Sequence, residues 1–157
     1  MSSGAHFSAV VDGLLAEGLR VRFVARGRSM LPTVRDGECV TVAPIQARRV
    51  ALGDILLCST RRGPIAHRVA SILRAGDGAR RFALRGDASL EADEPVTDAQ
   101  VRGRLESVER DGRVLTLVIA GGAIGRALFT ARLRTRPLLA AAARACLASV
   151  RPLVLGE

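Results

Sequence analysis

Lysine, tryptophan, tyrosine and asparagine are absent from the 157 residues, although Lys and Arg together number 24. Every one of those cations is therefore an arginine, and any chemistry that needs a Lys base or a Lys Schiff base is excluded. His6 and His67 are the only two histidines, and histidine is the one side-chain type that titrates near neutrality without a large shift. Aromatic residues amount to 3%, four of them Phe. Nucleic-acid readers usually combine basic residues with aromatics or a reading helix, so nucleic acid is the weaker partner class here. The three cysteines, Cys39, Cys58 and Cys146, lie far apart with no CxxC or CxxH spacing. That pattern argues against a disulfide framework and against a zinc site, and it suits a reducing compartment. No motif calls for a metal or a cofactor. No uncharged apolar run reaches the roughly 18 residues of a membrane span. The opening stretch has no basic n-region and carries Asp12 and Glu17 among its apolar residues, so no secretory signal is read and a cytoplasmic protein is expected.

What is present is a folded composition, 48% hydrophobic and 25% charged. The net charge of +9 is unevenly placed, because residues 112–157 hold seven Arg against Glu157 alone. Phe7, Val10, Val11, Leu14 and Leu15 recur at helical spacing, and Gly18 can end that helix. Val21, Phe23 and Ala25 then alternate with arginines as in a half-buried strand. Short β-prone runs follow at Cys39–Ala43, Asp54–Ser59, Ala66–Leu73, Arg81–Arg85, Val101–Glu109 and Val114–Ile119, separated by Gly- and Asp-rich turns. This spacing predicts a mainly β antiparallel barrel or coiled sheet. Helical periodicity returns near 123–134 and 137–150, broken at Pro137. The expected organisation is a helix over 1–19, a β domain over 20–120 and a basic helical tail over 121–157.

Two positions invite chemistry. Ser29 lies in Gly27-Arg28-Ser29-Met30-Leu31-Pro32-Thr33, directly after a strand, where Gly and Pro hold a hydroxyl on an exposed turn. Backbone N–H groups gather at such a turn as an oxyanion hole requires. A nucleophilic Ser29 needs a base, and without Lys the choice falls between His67 and His6. Downstream, Asp87 and Asp93 lie in Gly86-Asp87-Ala88-Ser89-Leu90-Glu91-Ala92-Asp93. A triad needs one carboxylate to orient the imidazole and stabilise its protonated form.

In order along the chain come Gly-x-Ser-Met-x-Pro-Thr, Asp36-Gly37-Glu38-Cys39-Val40, Gly53-Asp54-Ile55-Leu56, His67-Arg68-Val69, Gly86-Asp87-Ala88 and Asp93. Together, over roughly residues 21–108, they resemble the type I signal peptidases. A His-Arg-Val where the common bacterial enzymes carry Lys resembles the Ser-His-Asp branch, which includes the endoplasmic-reticulum, archaeal and sporulation-type enzymes. The resemblance implies the coiled β-barrel that this family shares with the LexA-like repressors. It implies Ser29 as nucleophile, His67 as general base, Asp93 as orienting acid and Asp87 as the acid that supports the site. Gly27, Arg28, Met30 and Pro32 would border the substrate and the oxyanion. The hydroxyl that many bacterial members place two residues before the nucleophile is Gly27 here, and the family's membrane-spanning anchor has no counterpart.

The implied activity is a serine endopeptidase that cuts a pre-protein or leader peptide after small residues, the peptide adding as a strand to an exposed sheet edge. The alternative is a non-catalytic peptide-binding or regulatory module on the same fold. Residues 123–157 would either pack on the β domain or bring the protein to the surface of an anionic membrane.

Overall fold

In a computed structural model the described residues are 3–76, 78–93 and 95–117. The expected helices of the tail, and Cys146, lie outside them. One helix, α1 (Ser3–Ala16), precedes eight strands: β1 (Val21–Val24), β2 (Cys39–Ala43), β3 (Ile55–Thr60), β4 (Gly63–Arg74), β5 (Arg80–Arg85), β6 (Val96–Thr97), β7 (Val101–Arg110) and β8 (Arg113–Thr116). The protein is mainly β, as its turn spacing predicts. All pairings are antiparallel, in the order β1-β2-β7-β3-β4-β5-β6, with β8 also on β7. Arg104 pairs with Ala43 on one side and Leu56 on the other, while Val108 pairs with Val40 and Leu115. One edge of β7 thus carries β2, and the other is shared by β3 and β8.

Strand β3 explains how one sheet serves two cores. Its Ile55-Leu56-Leu57-Cys58 run is buried throughout, and successive side chains leave opposite faces. Ile55 and Leu57 join Val40, Val42, Leu105 and Val108 in one cluster. Leu56 and Cys58 join Val69, Phe82 and Leu84 in the other. An unbroken apolar run, rather than an alternating one, is what a strand covered on both faces requires.

One expectation needs correction: the sheet is not a closed barrel. Closure needs hydrogen bonds between the first and last strands of the path, and among the described residues β1 and β6, of four and two residues, end that path without pairing each other. The apolar stripe of α1 is not buried as a whole either. Val11 and Leu15 enter the core, whereas Phe7, Val10 and Leu14 are exposed, Val10 at 61%. The helix meets the sheet along a narrow line, so only the two residues on that line are covered. The turn from β3 to β4 is tight: Thr60 pairs with Gly63 and Ser59 with Pro64, leaving Arg61 and Arg62 as the turn. The hydroxyl of Thr60 donates to the Gly63 carbonyl, closing it.

Candidate active site

Ser29 follows β1 by a short extension. Gly27 there has a φ of 99°, a conformation strained for any residue with a Cβ, and its N–H donates to Asp36 Oδ1 at 2.8 Å. The chain then makes a helical turn in which the Leu31 N–H donates to the Arg28 carbonyl and the Val34 N–H to that of Met30. Ser29 sits at the start of this turn, and its own N–H has no acceptor among the described residues. The loop after β5 lies against it. The Ala88 N–H donates to the Ser29 carbonyl at 2.8 Å, and a Cβ on Gly86 would stand 2.6 Å from that same oxygen. Only glycine permits this approach.

Strand β4 brings His67 to the same point. Its Nε2 is 2.8 Å from Ser29 Oγ, and its Nδ1 bonds Asp93 Oδ2. With an ionised Asp93 accepting from Nδ1–H, the tautomer left at Nε2 is the acceptor for the Ser29 hydroxyl. Asp93 is held by its own N–H, which donates to the Leu84 carbonyl of β5 at 2.8 Å. The imidazole shows 12% of its side-chain surface to solvent and Asp93 35%. His6 lies exposed on α1 and makes no bond to this group.

Asp87 has a different neighbour. Both its oxygens take the Arg68 guanidinium, Nε at 2.8 Å and Nη2 at 2.7 Å, and the Thr33 hydroxyl donates to it. Arg68 Nη1 donates to the Gly53 carbonyl at 2.8 Å. This bidentate pair ties β4, the Ser29 turn, the 86–89 loop and the Gly53 turn together one residue from His67. Arg68 and Thr33 lie within the motifs, but no role for them is legible in the sequence beyond the placing of an arginine directly after His67.

The bordering residues divide. Ser29, His67 and Gly27 line a cleft of about 360 Å³ whose floor is Met30, Val34, Val40, Leu57 and Leu105. Arg28 and Pro32 do not line it: Arg28 is exposed, and the carbonyl of Pro32, which follows a cis peptide bond, accepts from Arg110. Phe7, unforeseen, closes one end of the cleft, its ring edge-to-face on Phe23 at 5.2 Å. The walls are consecutive residues, 23–27 on one side and 64–67 on the other, as happens where strand edges rather than strand faces look onto a space. Among the described residues β1 pairs with β2 alone. On β4, β5 begins its pairing at Arg68, so residues 63–67 have one described partner, β3, on one edge. Among the described residues two unpaired edges thus flank Ser29.

Cys58 is a poor candidate nucleophile. Burial pushes the Cys58 thiol up to about 12, so its thiolate is scarce at neutral pH. Among the described residues no group of three His, Cys, Asp or Glu gathers as metal ligands would, and no helix is long and apolar enough to cross a membrane. No protein-family model matches the chain, and no curated protein matches it significantly.

Proposed function

We propose that the chain is a serine endopeptidase of signal-peptidase type, on a coiled sheet that stays open where the substrate enters. The observation that carries this reading is the continuous hydrogen-bonded line Ser29 Oγ–His67 Nε2, His67 Nδ1–Asp93. The peptide lies extended between the free edges of β1 and β4, its main chain completing the hydrogen bonds that those edges lack. The side chain before the scissile bond enters the apolar floor that includes Met30, and the resemblance to the signal peptidases makes it a small one. Ser29 Oγ attacks the carbonyl carbon while its proton passes to His67 Nε2. The Ser29 N–H meets the oxyanion, a role in which one donor is worth about 3 kcal/mol. The imidazolium, stabilised by ionised Asp93, returns the proton to the leaving amine. Water then adds to the acyl-enzyme with His67 again taking the proton, and the ester to Ser29 breaks as His67 returns that proton to Ser29 Oγ. The substrate is a pre-protein or a leader peptide.

A fluorophosphonate probe tests this directly. The wild-type chain is expected to be labelled at Ser29, and Ser29→Ala to remain unlabelled. His67→Ala is expected to lower labelling and peptide cleavage by at least about a thousandfold, and His6→Ala to change neither more than twofold or so. An unlabelled wild-type protein of intact fold would instead favour the non-catalytic module. A dead His6→Ala variant would overturn the assignment of the base.

A further inference from the structure

The arginines that lead to Ser29 divide by place. Arg20 pairs with Glu106 at 2.8 Å and Arg22 with Glu109 at 2.5 Å, so each has a carboxylate from β7. Arg26 and Arg28, either side of Gly27, are exposed and have no ion-pair partner among the described residues. Among the described residues Arg26 is the one Arg on the cleft wall, and no Asp or Glu lines the cleft. Across the opening, Arg61 and Arg62 form the exposed turn just before the opposite wall at Pro64, and neither has an ion-pair partner among the described residues. Of the described acids near Ser29, Asp93 is engaged by His67, Asp87 by Arg68 and Asp36 by the Gly27 N–H. A neutral or basic peptide would leave these four arginines without an ion-pair partner among the described residues.

Register sharpens the point. Along β1 and its extension, Val21, Phe23 and Ala25 face the core, while Arg22, Val24 and Arg26 are exposed. A peptide strand added beside them has the same alternation. When the residue before the scissile bond enters the apolar floor, the second and fourth residues before that bond fall on the outer face, the face on which Arg22 and Arg26 are exposed. We infer that the substrate is an acidic peptide, with Asp or Glu at the second or fourth position before the cut, recognised by Arg26 and the neighbouring arginines. This rests on the endopeptidase reading above and names the substrate class of that site.

The test uses three peptides that are identical except for Glu, Gln or Lys at those two positions, with Ala before the scissile bond. Cleavage is followed with the wild-type full chain, and binding with Ser29→Ala. Cross-strand charge pairs of this kind predict kcat/KM about threefold higher for Glu than for Gln at each position, with Lys lowest. Raising NaCl to about 1 M, where screening acts within a few ångströms, should compress the series. Arg26→Glu should reverse the order so that the Lys peptide is best, an outcome that a merely structural arginine would not give. Equal kcat/KM or equal affinity across the series, with Ser29 still labelled by the fluorophosphonate, overturns the acidic-substrate inference alone. Absence of both labelling and cleavage removes the endopeptidase reading, and this inference with it.

Discussion

At the residue scale, the site depends on positions where one atom more would be too many. Gly86 is the clearest, because the atom a Cβ would strike is a backbone oxygen, that of Ser29, which cannot swing aside as a flexible side chain could. Gly86→Ala is therefore expected to keep the far-UV spectrum while moving the Ser29 turn, and to lower kcat by about a hundredfold, the scale set by small misplacements in such sites. An unchanged kcat would show that the 86–89 loop does not hold the nucleophile. The sequence singled out both Asp87 and Asp93 but offered no geometric way to choose between them. Spacing along a chain does not tell which of two loop carboxylates reaches a strand histidine. The 2.8 Å N–H···O bond from Asp93 to the Leu84 carbonyl, and the Arg68 fork that occupies Asp87, make that choice.

At the element scale, the Arg68–Asp87 pair is what joins β4 to the loops that carry the site. Its side chains are 10% and 14% exposed, so each ion has lost most of its water and depends on the other. Asp87→Ala is expected to destabilise the fold by about 3 kcal/mol in urea unfolding, because it leaves a buried guanidinium uncompensated. The Arg102–Asp12 pair, at 34% and 33% exposure, provides the contrast. Asp12→Ala should cost about 1 kcal/mol or less, since exposed pairs are largely offset by hydration and side-chain entropy. Equal losses from the two variants would show that the Arg68 network has no special structural role. The strands β2 and β7 were legible nearly to the residue because alternation and bounding turns agree there. Strand β6, with two residues, carries no periodicity to read, and the β4 start was hidden by Pro64. A proline reads as a turn unless one knows that its nitrogen lies on an unpaired edge, where no donor is needed.

At the scale of the whole molecule, charge links stability to pH through two carboxyls shifted in opposite directions. The Arg110 guanidinium, hydrogen-bonded to Glu38, holds that carboxyl below its usual range against the effect of burial. A carboxylate whose pKa is lower in the folded than in the unfolded state contributes stability that is full above the unfolded value, about 4.3, and is lost as pH falls through the folded one. Burial pushes Asp54 the other way, so its ionisation opposes folding near neutrality and that cost is relieved in acid. Glu38→Gln should therefore lower stability at pH 7 and narrow the gap from the wild type as pH drops below about 4. A gap that stays constant from pH 7 to pH 3 in chemical denaturation would show that the Glu38 charge is not linked to folding.

The sequence by itself determined the β class, the strand spacing, the absence of any Lys-based chemistry, and the short set of residues around Ser29 and His67 from which a site could be assembled. Those follow from composition, period and turn chemistry, which act within a few residues along the chain. The tertiary structure alone decided that Ser29, His67 and Asp93 form one hydrogen-bonded line, that Asp87 belongs to Arg68, and that the sheet stays open with two bare edges beside Ser29. It also decided that only Val11 and Leu15 of the helical stripe are covered. The bonds of the site join residues 19, 26 and 38 positions apart, and Leu15 meets Gly103, 88 positions away. Such contacts are chosen by packing, register and burial, and no local pattern encodes them.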